Sequence, residues 1–245
     1  MKLKEKIIIL TGAYGGIGSE TARLLLDAGA RVVLVGRNNK KMNDLIEELP
    51  LTDNNIIAVV ADVSLESDRQ KIIDKALSAF GNIDVLINLA GSMSFNEFSQ
   101  EDTETTDRLF QVNVLAPMHL TKMVIPHMVE RGSGQIVNIG SIFGSISFAW
   151  FATYSSTKFA LRGFSEALRR ELDGTGVMVS YIAPRAVRTA FNSDSMTQMC
   201  DHSKTKMDSP SEVAKDIVNA IKLDTKEKYF GLFFYPFVGV TQDDH

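Results

Sequence analysis

Short runs of aliphatic residues alternate with longer amphipathic segments along most of the chain. The runs read KIIIL, RVVLVG, NIIAVV, IDVLINLA, GQIVNIG and VMVSYIA. The segments between them carry apolar residues at helical spacing and cover residues 21–28, 41–49, 68–80, 103–128 and 155–172. Nearly continuous apolar strands separated by helices are typical of a parallel sheet that is buried on both faces. The pattern therefore predicts an α/β fold, a doubly wound, mainly parallel sheet of about seven strands with helices on both faces.

Length and composition favour one domain over residues 1–245 and exclude several function classes. A chain of 245 residues is long enough for one large core. Its net charge of −4 and its scattered lysines and arginines offer no basic stripe for a nucleic-acid backbone. The apolar stretch Ile7 to Leu10 is too short for a membrane span, so we expect a cytoplasmic protein. Cys200 is the sole cysteine, which fits a reducing compartment.

Two segments break the alternation of strands and helices. Residues 185–208 are polar and methionine-rich without clear periodicity, and so long a structureless stretch is usually a functional lid or disordered. Because this segment follows the sixth strand, at the edge where ligands bind in such folds, we interpret it as a substrate lid. The C-terminal sequence KYFGLFFYPFVGV predicts a last strand followed by a tail that packs on the core or on another subunit. We favour simple burial of this tail.

A glycine-rich turn follows the first strand directly. In TGAYGGIG, the residues Gly12, Gly16 and Gly18 have the spacing G-x-x-x-G-x-G, and Tyr14 and Ile17 lie between them. Glycines let the backbone approach a pyrophosphate, and the helix that follows offers unpaired N–H groups at its N-terminus. An ordinary tight turn would not need so many glycines. We therefore predict that this loop binds the phosphates of a dinucleotide.

The end of the second strand indicates which dinucleotide binds. In dinucleotide-binding folds an acidic residue about twenty positions further on holds the adenosine ribose hydroxyls. Here Gly36 occupies the expected acid position, and Arg37 follows it. An arginine can grip a 2′-phosphate that a carboxylate would repel. We therefore predict NADP(H) rather than NAD(H), and a solvated loop charge is the weaker alternative for Arg37.

Small and acidic residues follow the next two strands. Asp62 and Val63 come after the third strand, where a carboxylate can accept from the adenine amino group and an apolar side chain can cover the ring. Asn88, Ala90 and Gly91 follow the fourth strand and leave space where a cofactor would pass. Because ligands bind outside the carboxyl ends of such strands, we assign these five residues to the cofactor site.

A tyrosine and a lysine lie about one helical turn apart in the sequence YSSTK. This spacing places Tyr154 and Lys158 on one side of a helix, which is equally compatible with a polar surface pair. A tyrosine with its ordinary pKa of about 10 suits neutral pH poorly, and a nearby cation lowers that pKa. Lys158 is positioned to be that cation.

These motifs together resemble the short-chain dehydrogenase/reductase family, in its small single-domain branch. The match runs from residue 11 to residue 189 in family order. It comprises TGAYGGIG, ADV, NLAG, Asn113 in QVNVLA, Ser141 in IVNIGS, YSSTK, and the P-x-x-V-x-T residues Pro184, Val187 and Thr189. The resemblance implies a Rossmann-type fold and adds Pro184, Val187, Thr189, Tyr154 and Lys158 to the cofactor site.

The resemblance also implies a role for each catalytic candidate. Tyr154 is the acid/base, and Lys158 tunes it and holds the nicotinamide ribose. Ser141 hydrogen-bonds the substrate oxygen, and Asn113 continues a proton path from the lysine through water. Carbonyl reduction needs such groups because hydride transfer produces an alkoxide that must be held and protonated. We therefore expect hydride transfer between NADP(H) and a ketone or secondary alcohol.

Other functions and partners are less consistent with the sequence. A catalytically silent NADP-binding module would lack the serine, tyrosine or lysine, and a sugar-nucleotide epimerase is typically longer with different glycine spacing. Phe148, Trp150 and Phe151 favour a partly apolar small-molecule substrate, and an acyl thioester is one alternative. His119 and His127 lack ligand-like companions, so we predict no metal site. The resemblance implies a homodimer or homotetramer.

Two residues depart from the family pattern. Leu89 replaces the second of two asparagines that usually precede Ala90, a change that alters local hydrogen bonding without removing the cofactor site. Arg185 stands where glycine commonly follows the proline, and Arg188 comes three residues later. These arginines could meet the cofactor pyrophosphate, close the lid, bind an acidic substrate group or remain solvated. The sequence leaves these alternatives open.

Overall fold

The computed structural model describes residues 1–50, 55–202 and 205–230 and contains one seven-stranded sheet. The strands are β1 (Ile7–Thr11), β2 (Arg31–Gly36), β3 (Ile56–Val60), β4 (Val85–Asn88), β5 (Gly134–Ile139), β6 (Val177–Ala183) and β7 (Glu227–Tyr229). Their order in the sheet is β3-β2-β1-β4-β5-β6-β7, and every neighbouring pair among them runs parallel. The prediction of a doubly wound α/β fold is therefore confirmed.

Helices cover both faces of the sheet and create two separate hydrophobic cores. The helices are α1 (Gly16–Asp27), α2 (Asn39–Glu48), α3 (Glu66–Phe80), α4 (Thr103–Phe110), α5 (Ala116–Glu130), α6 (Ala152–Glu171), α7 (Asp194–His202) and α8 (Pro210–Lys222). Successive side chains of a strand point to opposite faces. Ile8 and Leu10 therefore share one core with α1, α2 and α8, whereas Ile9 shares the other with α3, α5 and α6. Burial on both faces explains the continuous apolar runs in the sequence.

The helix predicted around Asn113 is interrupted by a π-helical turn. α4 ends at Phe110, residues 111–115 form the π-turn, and α5 begins at Ala116. Asn113 lies at the centre of this turn and is buried. Single π-turns inside helices occur frequently at functional sites. The apolar spacing of the sequence does not distinguish such a turn from ordinary α-helix.

The segment from residue 185 to residue 208 is more ordered than its sequence indicates. It contains α7, so the expectation of a stretch without regular structure is wrong for residues 194–202. Met196 and Cys200, four positions apart on this helix, are buried in a small cluster with Phe151 and Tyr154. The predicted last strand is confirmed by β7. The predicted tail at residues 231–245 lies outside the described residues.

The strand order changes direction between β1 and β4. β2 and β3 extend the sheet to one side of β1, and β4 to β7 extend it to the other. Ligands bind in such folds outside the carboxyl ends of the strands at this point. The Thr11 hydroxyl joins the two strand ends, because it accepts from the Leu89 and Ala90 N–H groups, each at 3.0 Å. The fold therefore opens a crevice next to the glycine turn.

Candidate active site

A cleft of about 1380 Å³ runs along the carboxyl ends of the strands. All the sequence-predicted site residues line it except Asn88 and Asn113. Those in the lining are Gly12, Tyr14, Gly16, Ile17, Gly18, Arg37, Asp62, Val63, Ala90, Gly91, Ser141, Tyr154, Lys158, Pro184, Val187 and Thr189. Residues that are far apart in the sequence thus meet in one cavity.

The glycine turn leaves no room for side chains at three positions. Gly12 has a φ angle of +70°, and a Cβ atom there would lie 3.0 Å from the Ala90 Cα. A Cβ on Gly18 would lie 2.2 Å from the Gly12 carbonyl oxygen, and one on Gly16 would lie 2.7 Å from the Thr189 Cγ2. α1 begins at Gly16, and no side-chain hydrogen bond caps its N-terminus. Close backbone approach and uncapped N–H groups at a helix N-terminus fit a pyrophosphate.

The end of the cleft next to β2 and β3 carries two cations, Arg37 and Lys41. The Arg37 guanidinium lies 3.8 Å from the Asp62 carboxylate, and the Arg37 backbone N–H donates to the Tyr14 hydroxyl at 3.2 Å. Asp62 also accepts from the backbone and the hydroxyl of Ser64 at 2.9 and 2.7 Å. Lys41 in the first turn of α2 lines the same end, with its Nζ 5.9 Å from the Tyr14 ring centroid. Sequence reasoning missed Lys41, although its place four residues after Arg37 is a usable signal.

Tyr154 and Lys158 lie in the first two turns of α6 and are both buried. The Lys158 ammonium lies 5.6 Å from the Tyr154 ring centroid and donates to the Ile139 carbonyl at 3.2 Å. Burial raises the pKa of Tyr154 to about 12 and outweighs a hydrogen bond with Ser141 that lowers it. Burial also lowers the pKa of Lys158 to about 8.

These pKa directions correct the expectation of a lowered Tyr154 pKa, because burial decides the net shift and raises it. Removing either group from water disfavours its charged form, and for Tyr154 this cost is the largest cause of the shift. At neutral pH the tyrosine is therefore a neutral phenol and the lysine is mostly an ammonium ion. A neutral phenol is the form that can donate a proton.

Ser141 and Asn113 border the tyrosine-lysine pair from different elements. Ser141 follows β5, and its hydroxyl accepts from the Phe143 N–H at 3.2 Å. The Asn113 amide accepts from the Ser92 N–H at 2.8 Å and donates to the Thr157 hydroxyl at 3.0 Å. Asn113 thus fastens the loop after β4 to α6 instead of lining the cleft. Its role in a proton path stays a prediction.

The side chain of Asn88 points away from the cleft. It donates to the Asn138 Oδ1 at 2.8 Å and to the Thr121 hydroxyl at 3.3 Å, and Asn138 in turn donates to the Ser165 hydroxyl at 2.8 Å. The amide therefore joins β4 and β5 to the helices on one face. The pleat of the strand directs it there, so the sequence-based assignment of the Asn88 side chain to the cleft is corrected.

Aromatic and sulfur-containing side chains surround the cleft next to Tyr154. The Phe151 ring centroid lies 4.8 Å from that of Phe95 and 4.6 Å from that of Phe143, and Trp150 lies 5.1 Å from Phe95. The Trp150 backbone has a φ angle of +71°, which is rare for a bulky residue. Sequence reasoning identified Phe151 and Trp150 but missed Phe95 and Phe143. These two lie in loops after β4 and β5, where no periodic pattern marks them.

Arg185 forms an ion pair within residues 185–208. Its Nε donates to the Asp208 carboxylate at 2.7 Å, and a second guanidinium nitrogen contacts the same carboxylate. This ion pair raises the pKa of Arg185 further. The backbones of Val187 and Asp208 form a β-bridge beside the pair. Arg185 thus joins the two ends of residues 185–208, whose role as a lid stays a prediction, whereas Arg188 is exposed and absent from the cleft lining.

Two further properties concern the part of the chain that the structure describes. Within residues 1–50, 55–202 and 205–230, no helix is both long and apolar enough to cross a bilayer. The same residues contain no cluster of three or more histidine, cysteine, aspartate or glutamate side chains arranged to hold a metal ion.

Solved structures share this fold over most of the chain. The 3-ketoacyl-(acyl-carrier-protein) reductase from Brucella melitensis complexed with NADH is 26% identical, with a TM-score of 0.83 over 92% of this chain and 96% of that one. ElxO with NADP bound is also 26% identical, with a TM-score of 0.80 over 91% and 96%. The fold and the cleft thus define the class of Rossmann-like oxidoreductases.

Sequence comparison narrows this class to one family. The family model for short chain dehydrogenase matches residues 6–199. YxnA of Bacillus subtilis, an uncharacterized oxidoreductase, is 34% identical over 236 residues, which span 94% of this chain and 66% of the length of that protein. The chain belongs to the short-chain dehydrogenase/reductase family, as its motifs predict. It is accordingly an oxidoreductase of the type that acts on CH–OH or C=O groups.

Proposed function

We propose that this chain transfers a hydride between NADP(H) and a ketone or secondary alcohol. The observation that carries the proposal is the meeting of Tyr154, Ser141 and Lys158 in the cleft that also contains the glycine turn, with the Lys158 ammonium 5.6 Å from the Tyr154 ring centroid. A phenol, a hydroxyl and an ammonium ion next to a phosphate-binding turn are the groups that reversible carbonyl reduction requires.

The residues along the cleft suit successive parts of NADP(H). The glycine turn and the N-terminus of α1 would hold the pyrophosphate, and Arg37 with Lys41 would hold the 2′-phosphate. Asp62 and Val63 would border the adenine. Ala90, Gly91 and Lys158 would adjoin the nicotinamide ribose, and Pro184, Val187 and Thr189 would adjoin the nicotinamide. When bound, the nicotinamide donates or accepts the hydride.

The catalytic residues hold and move the proton. In the reductive direction the Tyr154 phenol donates its proton to the substrate oxygen as negative charge develops there. The Ser141 hydroxyl donates a hydrogen bond to the same oxygen and orients it. The Lys158 ammonium then stabilises the tyrosinate that remains. Asn113 is proposed to hold the water through which a proton returns to this pair.

The substrate is proposed to carry an apolar body. Its reacting oxygen would lie against Tyr154 and Ser141, and its body would lie among Phe95, Phe143 and Phe151, whose rings pack together near the tyrosine. An acyl thioester is the alternative, because the Brucella melitensis relative is a 3-ketoacyl-(acyl-carrier-protein) reductase. The ion pair of Arg185 with Asp208 argues against Arg185 as the anchor of an acidic substrate group.

The proposal is tested by following NADPH depletion over a panel of carbonyl compounds. The panel should contain bulky apolar ketones, small ketones and acyl thioesters. Parallel titrations of NADPH and NADH, followed by fluorescence, measure the cofactor preference. Turnover of no carbonyl compound would overturn the reaction, whereas tighter binding of NADH would overturn the cofactor assignment alone.

Four sequence-based expectations extend the proposal. Residues 185–208 would act as a lid over the substrate, in a single domain that spans the chain. The protein would work in the cytoplasm as a homodimer or homotetramer assembled through the helices that contain or follow Asn113 and Tyr154. Light scattering that shows only monomer at micromolar concentration would overturn the assembly.

A further inference from the structure

We infer that Tyr14 is a specificity-determining residue that excludes any side chain, and in particular a carboxylate, from position 36. The inference rests on the proposed preference for NADP(H) and deepens it. It is drawn from the space between the glycine turn and the end of β2 and does not depend on the charge of Arg37.

The Tyr14 ring occupies the volume that a side chain at position 36 would need. A Cβ atom on Gly36 would lie 2.3 Å from the Tyr14 Cε1 and 2.7 Å from its Cδ1. Nonbonded carbon atoms prefer a separation of about 3.5 to 4.0 Å. The Met42 methyl would be 3.2 Å away, but it is the end of a flexible side chain. Even an alanine at position 36 must therefore displace the tyrosine ring.

Several contacts hold the Tyr14 ring in place. Its hydroxyl accepts from the Arg37 backbone N–H at 3.2 Å, and the ring packs against the core that contains α1 and α2. The Lys41 ammonium lies 5.9 Å from the ring centroid, within the range of a cation–π contact. Moving the ring would break the hydrogen bond and this cation contact together.

The consequence is a cofactor site that selects NADP(H) in two ways, by excluding a carboxylate and by attracting a phosphate. A carboxylate at the end of the second strand is the group that holds the ribose hydroxyls of NAD in such folds. Tyr14 prevents this chain from presenting one there. Arg37 and Lys41, on either side of the tyrosine, then supply the attraction for a phosphate. Replacing Gly36 alone should therefore fail to create an NAD enzyme.

A stability cycle tests the exclusion without any cofactor. Gly36→Ala should lower the melting temperature by about 3 to 8 °C because it overpacks the site. Tyr14→Ser in the same chain should restore part of this loss, because it removes the ring. Tyr14→Phe keeps the ring and should restore nothing. Additive effects of Gly36→Ala and Tyr14→Ser, or an equal rescue by Tyr14→Phe, would overturn the inference.

A second cycle tests the consequence for specificity through kcat/KM with NADPH and with NADH. Gly36→Asp alone should lose activity with NADPH and gain none with NADH, whereas Gly36→Asp with Tyr14→Ser should use NADH about tenfold better than Gly36→Asp does. If Gly36→Asp gains NADH activity as well as the double variant does, the role of Tyr14 is overturned while the proposed function stands. If the wild-type protein prefers NADH, the proposed cofactor preference and this inference are both overturned.

Discussion

The proposed cofactor end of the cleft, at the glycine turn, and its proposed substrate end, at Tyr154 and the aromatic side chains around it, are built by different means. At the cofactor end, backbone atoms touch so closely that Gly12 and Gly18 admit no Cβ atom, and the N-terminus of α1 supplies the polar groups. At the substrate end, loops and α7 contribute large side chains, and Phe148 and Trp150 leave about half of their surface exposed, at 49% and 51%. The shape of the first end is therefore set by the path of the backbone, and the shape of the second end is set by large side chains.

This difference explains what each end can tolerate. Backbone atoms cannot move apart without shifting β1, α1 or β4, so a substitution in the glycine turn strains the sheet itself. Aromatic and sulfur-containing side chains on loops can repack around a new ligand. Substitutions at the cofactor end should therefore affect folding and cofactor binding together, whereas substitutions at the substrate end should change kcat or KM for the substrate and leave folding and cofactor binding intact.

The largest effect is expected for Tyr154→Phe, which should abolish catalysis while leaving cofactor binding intact. Without the phenol no group donates the proton, so kcat should fall by about 10³-fold, while NADPH binding measured by fluorescence should stay nearly intact. Tyr229→Phe is the matched control, because that hydroxyl bonds to Glu227 outside the cleft lining. Full activity of Tyr154→Phe would refute the assignment of the acid.

Gly18→Ala should have the next largest effect, at the cofactor end. The new Cβ would lie 2.2 Å from the Gly12 oxygen, so we expect a cost of roughly 2 to 3 kcal/mol and a loss of NADPH affinity of about 100-fold. Gly163→Ala in α6 is the control, because no atom lies within 4 Å of its added Cβ. Calorimetry and titration measure both quantities, and unchanged NADPH binding in Gly18→Ala would contradict a phosphate site at the turn.

The pH dependence should reveal Lys158, which lies where the two ends meet. Burial lowers its pKa to about 8, and a lysine is charged below its pKa. The value of kcat/KM for NADPH in carbonyl reduction should therefore be level below pH 8 and fall about tenfold per pH unit above it. The Lys158→Met variant should turn over slowly, and its kcat/KM should not fall above pH 8. If kcat/KM of Lys158→Met fell at the same pH, the titration would belong to another group.

The smallest effect is expected for Phe95→Ala at the substrate end. Its ring packs on Phe151 and Trp150, so its loss should raise KM for bulky apolar ketones by about tenfold and leave the melting temperature and NADPH binding almost unchanged. Phe98→Ala on the same loop is the control, because Phe98 is exposed and absent from the cleft lining. Equal effects of the two variants on KM would contradict an aromatic substrate site.

The regular part of the fold could be predicted closely from the sequence. β2 and β6 begin and end at the residues that the apolar runs RVVLVG and VMVSYIA indicate, because strands buried on both faces require unbroken apolar sequence. α7 was missed, since a short helix that buries only one narrow face on a local cluster leaves little periodicity. The π-turn around Asn113 was missed because its hydrogen-bond pattern, not its composition, distinguishes it.

The candidate site was predictable where geometry follows from chain order. The glycine turn, Tyr154, Lys158 and Ser141 meet because the carboxyl ends of parallel strands share one edge. The direction in which a side chain points, and the direction of a pKa shift that depends on burial, were harder to predict. The pleat turns Asn88 away from the cleft, and burial sets the direction of the Tyr154 pKa shift.

The ion pair between Arg185 and Asp208 has a consequence for how the chain between these two residues can vary in length. The pair and the adjoining β-bridge hold Arg185 and Val187 next to Asp208, so the chain between them leaves and rejoins the fold at one point. Doubling the length of a loop whose ends are fixed costs only about 0.6 kcal/mol in closure entropy. Changes in the length of this intervening chain should therefore cost little stability, provided that Thr189 keeps its place beside the glycine turn and Met196 and Cys200 keep theirs beside Tyr154.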